Sequence, residues 1–109
     1  MMLVINIAKE FTDTPGPRYI ANGDFSGEAF REQILIPKYK QAIENNEKLE
    51  INLDGGYGYP SSFLEEAFGG LARIYEPQDV LNTLTFISNE EPPLIPAIKR
   101  FIEEARDEK

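Results

Sequence analysis

The chain contains no cysteine and no histidine. Without cysteine there can be no disulfide, no thiolate nucleophile and no thiolate-bound metal. Without histidine it lacks the usual general base and the commonest transition-metal ligand. Any catalysis would fall to carboxylates, Lys, Tyr or Ser, so the chain reads as a non-enzyme that holds no cofactor and no metal. Long apolar runs are missing too. Leu3-Val4-Ile5 is typical of those present, far short of the ~18–20 residues that cross a bilayer. The chain does not open with a basic segment, an apolar stretch and a cleavage site, so no signal peptide is expected and the cytoplasm is the default. Positive charge is scarce, with 11 Lys and Arg against 19 Asp and Glu for a net charge of −8. Such a surface repels phosphates and anionic lipids, which argues against nucleic acid and membrane as partners.

What is present suits one globular domain over residues 1–109. A hydrophobic fraction of 41% is enough for a packed core, and the length is near that of a single domain. Met2 to Ile7 alternates as a first strand, and Arg18-Tyr19-Ile20 has the length of a short second one. Ser26 is placed to cap a helix that starts at Gly27, with Glu28 in its first turn. Pro37 predicts a break, with a second helical segment running on to about Asn45. Leu49 to Leu53 is the cleanest strand. After a glycine-rich loop, Ser61 or Ser62 is placed to cap a helix whose stripe is Phe63, Leu64, Ala67, Phe68, Leu71 and Ala72. Gly69-Gly70 inside that helix costs about 1 kcal/mol per glycine against alanine, which points to a close crossing or an early end. Glu76 to Val80 reads as a short helical turn and Leu84 to Ile87 as a strand. A final helix carries Ile95, Ile98, Phe101, Ile102 and Ala105 on one face. The order predicts an α/β fold, a mixed sheet of about four strands backed by helices, with an N-terminal hairpin as an antiparallel edge.

Chemistry concentrates between Leu53 and Phe63, where a buried strand passes through Asp54, Gly55, Gly56, Tyr57, Gly58 and Tyr59 onto a helix opening with Ser61 and Ser62. In open α/β sheets, ligands and partners meet the loops at the carboxyl ends of the strands. The two hydroxyls sit where unpaired amides and the helix dipole favour a phosphoryl group. The plainer reading makes one serine a cap and the glycines a turn. The loop is no P-loop, because it lacks the Gly-Lys-Ser/Thr ending. Asp24, Glu28, Asp54, Glu65 and Glu66 would bind a hard cation if they converged, but Glu28, Glu65 and Glu66 read first as helix-start acids. Arg18 and Arg31 are placed to bridge to a carboxylate such as Asp54 or Glu65. Tyr57 and Tyr59 either mark an interaction surface or fold back over the core edge.

Three segments resemble a known family: Pro15-Gly16-Pro17-Arg18, Phe25-Ser26-Gly27-Glu28-Ala29-Phe30-Arg31, and Ser61-Ser62-Phe63-Leu64-Glu65-Glu66-Ala67-Phe68-Gly69-Gly70-Leu71. They look like the bacterial STAS-like domain of unknown function. The resemblance covers about Met1 to Phe86 and implies a STAS fold, the fold of sulphate transporter and anti-sigma factor antagonist domains. It marks Arg18, Ser26, Gly27, Glu28, Arg31, Phe63, Glu66 and Phe68 as its structural motif. It also implies a regulatory protein–protein interaction module. Antagonists of that class bind a histidine-kinase-like ATPase and are switched off when a serine at the start of the helix after a central strand is phosphorylated. Here that place is Ser62, with Ser61 beside it. The classical motif has aspartate before the serine pair and glycine after it, where this chain has Pro60 and Phe63. Asp54 to Tyr59 with Ser61 and Ser62 would form the partner surface. The alternatives are a small nucleotide- or metal-binding protein or carboxylate enzyme, or a structural subunit of a larger assembly.

Overall fold

A computed structural model describes residues 2–108 of the chain. Alternating apolar side chains build three strands: β1 (Leu3–Asn6), β2 (Leu49–Asn52) and β3 (Leu84–Ile87). They form one sheet in the order β1-β2-β3 with both pairs parallel. The register aligns Leu3 with Leu49 and Leu84, and Ile5 with Ile51 and Phe86. These two rows form the core side of the sheet, where Ile5, Leu49 and Ile51 are fully buried. Val4, Glu50 and Thr85 share the alternate row, and Val4 is 44% exposed.

Helices supply the crossovers that parallel strands need. After a single helical turn at Ile7–Glu10, helix α1 runs unbroken over residues 27–44. Helix α2 covers residues 61–74. Helices α3 (Pro77–Thr83) and α4 (Leu94–Glu104) flank β3 in sequence. The first two helices pack on each other, and α4 packs along α2. Phe30, Leu35, Tyr39, Phe63, Phe68, Leu71, Ile98 and Ile102 fill the space between helices and sheet, each with no exposed surface. Among the described residues no helix is long and apolar enough to cross a membrane.

Two sequence expectations are corrected. The sheet has three parallel strands rather than about four in a mixed sheet, and Arg18-Tyr19-Ile20 is not a strand. Its backbone is committed to a local turn and to a helix start, with the Tyr19 carbonyl accepting from the Asn22 N–H at 2.9 Å. The Pro17 and Arg18 carbonyls serve α1: Gly27 N–H donates to Pro17 O at 2.9 Å and Glu28 N–H to Arg18 O at 3.0 Å. A 3₁₀ turn at Ile20–Asn22 follows. The break expected at Pro37 is also absent. Residues Arg31–Leu35 wind as a π turn, and the Ile36 N–H donates to Arg31 O, five residues back. The wider turn just before Pro37 absorbs the missing donor and the crowding that a proline ring brings, so the helix continues. The Ser26 cap is as read, its hydroxyl accepting from the Ala29 N–H at 3.0 Å.

Candidate functional site at the loop end of the sheet

The carboxyl ends of all three strands open into loops that are tied to one another. After β2, the Asn52 side chain accepts from the Asp54 N–H at 2.9 Å and turns the chain out of the sheet. Gly55 (φ 95°) and Gly58 (φ 125°) hold left-handed backbone, which side chains resist. The Asp54 carboxylate accepts from the Glu90 N–H at 3.0 Å and from the Asn89 amide at 3.1 Å. In return the Gly55 N–H donates to the Glu90 carboxylate at 2.8 Å. On the other flank the Tyr57 N–H donates to Asp13 O at 2.8 Å. The loops after β1, β2 and β3 thus become one surface.

The two tyrosines divide. Tyr59 folds back: its hydroxyl donates to Leu53 O at 2.9 Å and its ring lies 6.2 Å from that of Phe63. Burial, with the nearby charges of Asp54 and Glu90, pushes its pKa from 10.0 up to about 12. Tyr57 stands out at 84% exposed. A hollow of about 310 Å³ beside it is lined by Leu53, Ser88, Glu90, Glu91 and Leu94. A second hollow lies toward Thr14 and Pro15.

Neither serine caps α2. Pro60 is the cap residue, and its carbonyl accepts from the N–H groups of Phe63 (3.0 Å) and Leu64 (3.2 Å). Ser61 and Ser62 are the first two helical residues, Ser61 exposed and Ser62 half-buried. Phe63 is fully buried. Glu65 and Glu66 consequently fall in the second turn, not the first, and their role is different from that of helix-start acids.

Glu66 is the centre of a buried ion pair. The Arg31 guanidinium donates to its carboxylate at 2.7 Å and to its backbone carbonyl at 2.6 Å. Both side chains keep only 10% of their surface. Glu65 takes Arg18 on one oxygen and Arg73 on the other, the latter at 2.7 Å. Burial alone would push the Glu65 carboxyl up. The hydrogen bonds and charges of Arg73 and Arg18 outweigh it and hold the group below its ordinary value. The helix glycines make room for this arrangement. A Cβ on Gly70 would lie 2.3 Å from Arg31 Nη1, and one on Gly27 would lie 2.4 Å from Phe63 O. Gly69-Gly70 therefore marks a close crossing, not an early end.

The five acids weighed as a cation site do not converge. Asp54 holds the 89–90 turn, Glu65 and Glu66 hold arginines, Glu28 accepts from the Ile20 N–H at 2.9 Å, and Asp24 is exposed. Among the described residues no group of three such ligands is placed to hold a metal ion. Sequence reasoning missed Asp13, Ser88, Glu90 and Glu91 as walls of the loop surface. Ser88-Asn89-Glu90-Glu91-Pro92-Pro93 follows a strand and precedes a helix, which was the available signal. Arg73 was missed as well, and nothing local marks it.

A family model described as a STAS-like domain of unknown function matches residues 26–93, more than half of the chain. The chain belongs to this STAS-like family. Neither the curated proteins nor the solved structures contain a match. The STAS-like match begins at the Ser26 cap and ends at Pro93, where α4 starts. It therefore includes the α1–α2 crossing, β2, β3 and two of the three loops that form the surface.

Proposed function

We propose that this STAS-like domain is a regulatory protein-interaction module that docks through the loop end of its sheet, with Tyr57 as the anchor. One observation carries the reading: Tyr57 is 84% exposed on a loop held to its neighbours by Asp54, Gly55 and Tyr57 hydrogen bonds. A large aromatic side chain on a braced backbone gives a partner contact area with little loop ordering on binding. Asp54 to Tyr59 with Ser61 and Ser62 form the surface, and the hollows on either side of Tyr57 receive partner side chains. The partner implied by the family likeness is a histidine-kinase-like ATPase.

Ser62 is the proposed switch position. It lies in the first turn of α2, where a phosphoryl group meets helix amides. Added charge there also joins the acidic groups Asp54, Glu90 and Glu91 already on the loop end, and a partner surface complementary to the unmodified domain would be repelled. The domain binds and is switched; it is not proposed to catalyse.

A pull-down from the native host with wild type, Tyr57→Ala and Ser62→Asp, read by mass spectrometry, tests both steps. A kinase-like ATPase held by wild type and lost with either substitution is the expected result. Equal capture by all three would remove the loop end as the docking surface. Loss with Tyr57→Ala but retention with Ser62→Asp would keep the module and discard the switch.

A further inference from the structure

Just before α1, three large apolar side chains stand in solvent close together in the chain: Tyr19 at 48%, Ile20 at 54% and Phe25 at 48% exposure. A hollow of about 290 Å³ is lined by Ile20 and Phe25 with Phe11, Asp24, Ala29 and Gln33. Phe25 holds left-handed backbone, φ 55°, a conformation rare for a bulky side chain and easy for glycine or asparagine. The surroundings enforce it. The Phe25 carbonyl accepts from the Gly16 N–H at 2.9 Å, and two residues on, the Gly27 N–H donates to Pro17 O at 2.9 Å. Gly16 itself has no room for a Cβ against the Asp24 carbonyl. Strain that a structure over-determines in this way gathers at functional positions. Folding gives little reason for a phenylalanine here, because about half of the side chain stays in solvent. Its ring meets that of Phe11 edge-on at 5.6 Å, and Phe11 rests in turn on Phe30 and Phe63. Phe25 is thus held outward on a rigid base.

The charge around the hollow has one sign. From Tyr19 to Phe30 the chain carries Asp24 and Glu28 and neither Lys nor Arg. Asp24 lines the hollow. Glu28 accepts from the Ile20 N–H at 2.9 Å, which sets its carboxylate beside Ile20 and leaves its charge in place. The flanking bases are committed elsewhere, Arg18 to Glu65 and Arg31 to Glu66. An apolar hollow with an acidic rim complements a segment that is apolar on one face and basic beside it.

We propose that this patch docks an amphipathic basic segment of a partner protein. An apolar side chain of that segment enters the hollow against Phe25 and Ile20, and its Lys or Arg residues meet Asp24 and Glu28. The proposal does not rest on the loop surface or on Tyr57. The probe is a synthetic peptide of about 14 residues, lysines and leucines with the leucines at helical spacing. The same pattern with glutamate for lysine is the control. In a ¹H–¹⁵N NMR titration of the full chain, the lysine peptide is expected to give saturable shifts centred on residues 19–33, and the glutamate peptide none of comparable size. Phe25→Asn keeps a residue that tolerates left-handed backbone and is expected to weaken binding about tenfold. The double variant Asp24→Asn, Glu28→Gln keeps an acceptor for the Ile20 N–H. It is expected to weaken binding and to flatten its dependence on salt, and it carries the test should Phe25→Asn not fold. Ile74→Ser removes an equally exposed apolar side chain from the end of α2 and is expected to leave affinity unchanged. Shifts spread over the whole acidic surface, equal binding of the glutamate peptide, or an unchanged affinity in a folded Phe25→Asn or in the double variant would each overturn the proposal.

Discussion

The α1–α2 crossing and the loop end of the sheet both depend on carboxylates, and they use them differently. At the crossing, Glu65 and Glu66 are neutralised by three arginines, Arg31 and Arg73 from the helices and Arg18 from the segment before α1, and the Arg31–Glu66 pair is almost dry. At the loop end, Asp54 and Glu90 spend their oxygens on backbone N–H groups and a side-chain amide, at the exposed surface. The first arrangement fixes how two helices meet and leaves little accessible to a partner. The second braces a loop while keeping its charge and its exposed tyrosine in solvent. The two longer motifs behind the family likeness, around Ser26–Arg31 and Ser61–Leu71, meet at the crossing. The family signature therefore identifies the scaffold more directly than the docking surface.

If this contrast is right, damage at the crossing should appear as stability. Glu66→Ala takes away the buried carboxylate and leaves the Arg31 guanidinium only the residue 66 carbonyl and the exposed Glu32, at 3.5 Å, as partners, and a loss of about 3 kcal/mol is expected in urea unfolding. The double variant Arg31→Met, Glu66→Leu removes both charges at similar volume and should recover most of that loss. A double variant no better than Glu66→Ala would show that the pair holds the crossing by more than mutual neutralisation.

The loop end has its own stability signature, and it lies at alkaline pH. The Tyr59 pKa is raised in the folded state, from 10.0 to about 12. The folded chain therefore keeps a proton that the unfolded chain releases. The contribution is complete below pH 10 and is lost as pH rises toward 12, with a total of roughly 2–3 kcal/mol. The phenolate also cannot donate to Leu53 O. Unfolding free energies measured from pH 9 to pH 12 should fall more steeply for wild type than for Tyr59→Phe. Parallel curves would mean that Tyr59 does not titrate as a braced, half-buried group. The acid side belongs to the crossing. Glu65 is held below its ordinary value by Arg73 and Arg18, so its contribution is present above the unfolded pKa and is lost as pH falls through the folded one.

Gly27→Ala probes the crossing by volume instead of charge. Its Cβ would lie 2.4 Å from the Phe63 carbonyl, a backbone atom that cannot swing aside. A loss of about 1–3 kcal/mol is expected, against the small gain that alanine brings at an open helical site. A neutral result by thermal melting would show that the helices can separate there at little cost.

Much of this scaffold was legible in the residues. Strand alternation located β1 and β2, because one face of each packs on helices and the period of two survives in the pattern, and β-branched and aromatic residues located β3. Ser26 was readable as a cap because capping is local. Non-local features were not. The extra strand was inferred from Arg18-Tyr19-Ile20, but the Arg18 carbonyl, with that of Pro17, completes the start of α1 across a loop, and those of Tyr19 and Ile20 close a local turn. The π turn at Arg31–Leu35, and a second one within α2 at Glu65–Gly69, leave no mark on apolar spacing short enough to detect. Glu65 and Glu66 looked like helix-start acids until Pro60, not a serine, proved to be the cap, which moves them a turn inward to their arginines. At the loop end, Asp54 to Tyr59 was found from its glycines. Its counterpart at Ser88 to Glu91 carried only the signal of a loop between a strand and a helix, and its place beside Asp54 follows from the parallel pairing of β3 with β2.

The smallest expected change in stability is the one that bears most on function. Tyr57→Ala removes a side chain that is 84% exposed, and its unfolding free energy should stay within about 0.5 kcal/mol of wild type. Its backbone N–H still donates to Asp13 O, so the loop keeps its brace. Binding should respond in the opposite proportion, with the proposed partner, a histidine-kinase-like ATPase, lost from the pull-down. The recovered Arg31→Met, Glu66→Leu double variant supplies the reciprocal case, because it alters the helix layer and leaves the loop surface in place. It should bind as wild type does. Stability lost at one region with binding intact, and binding lost at the other with stability intact, would separate scaffold from docking surface. A double variant that folds but no longer binds would instead place the partner against the helices and move the interface off the loop end.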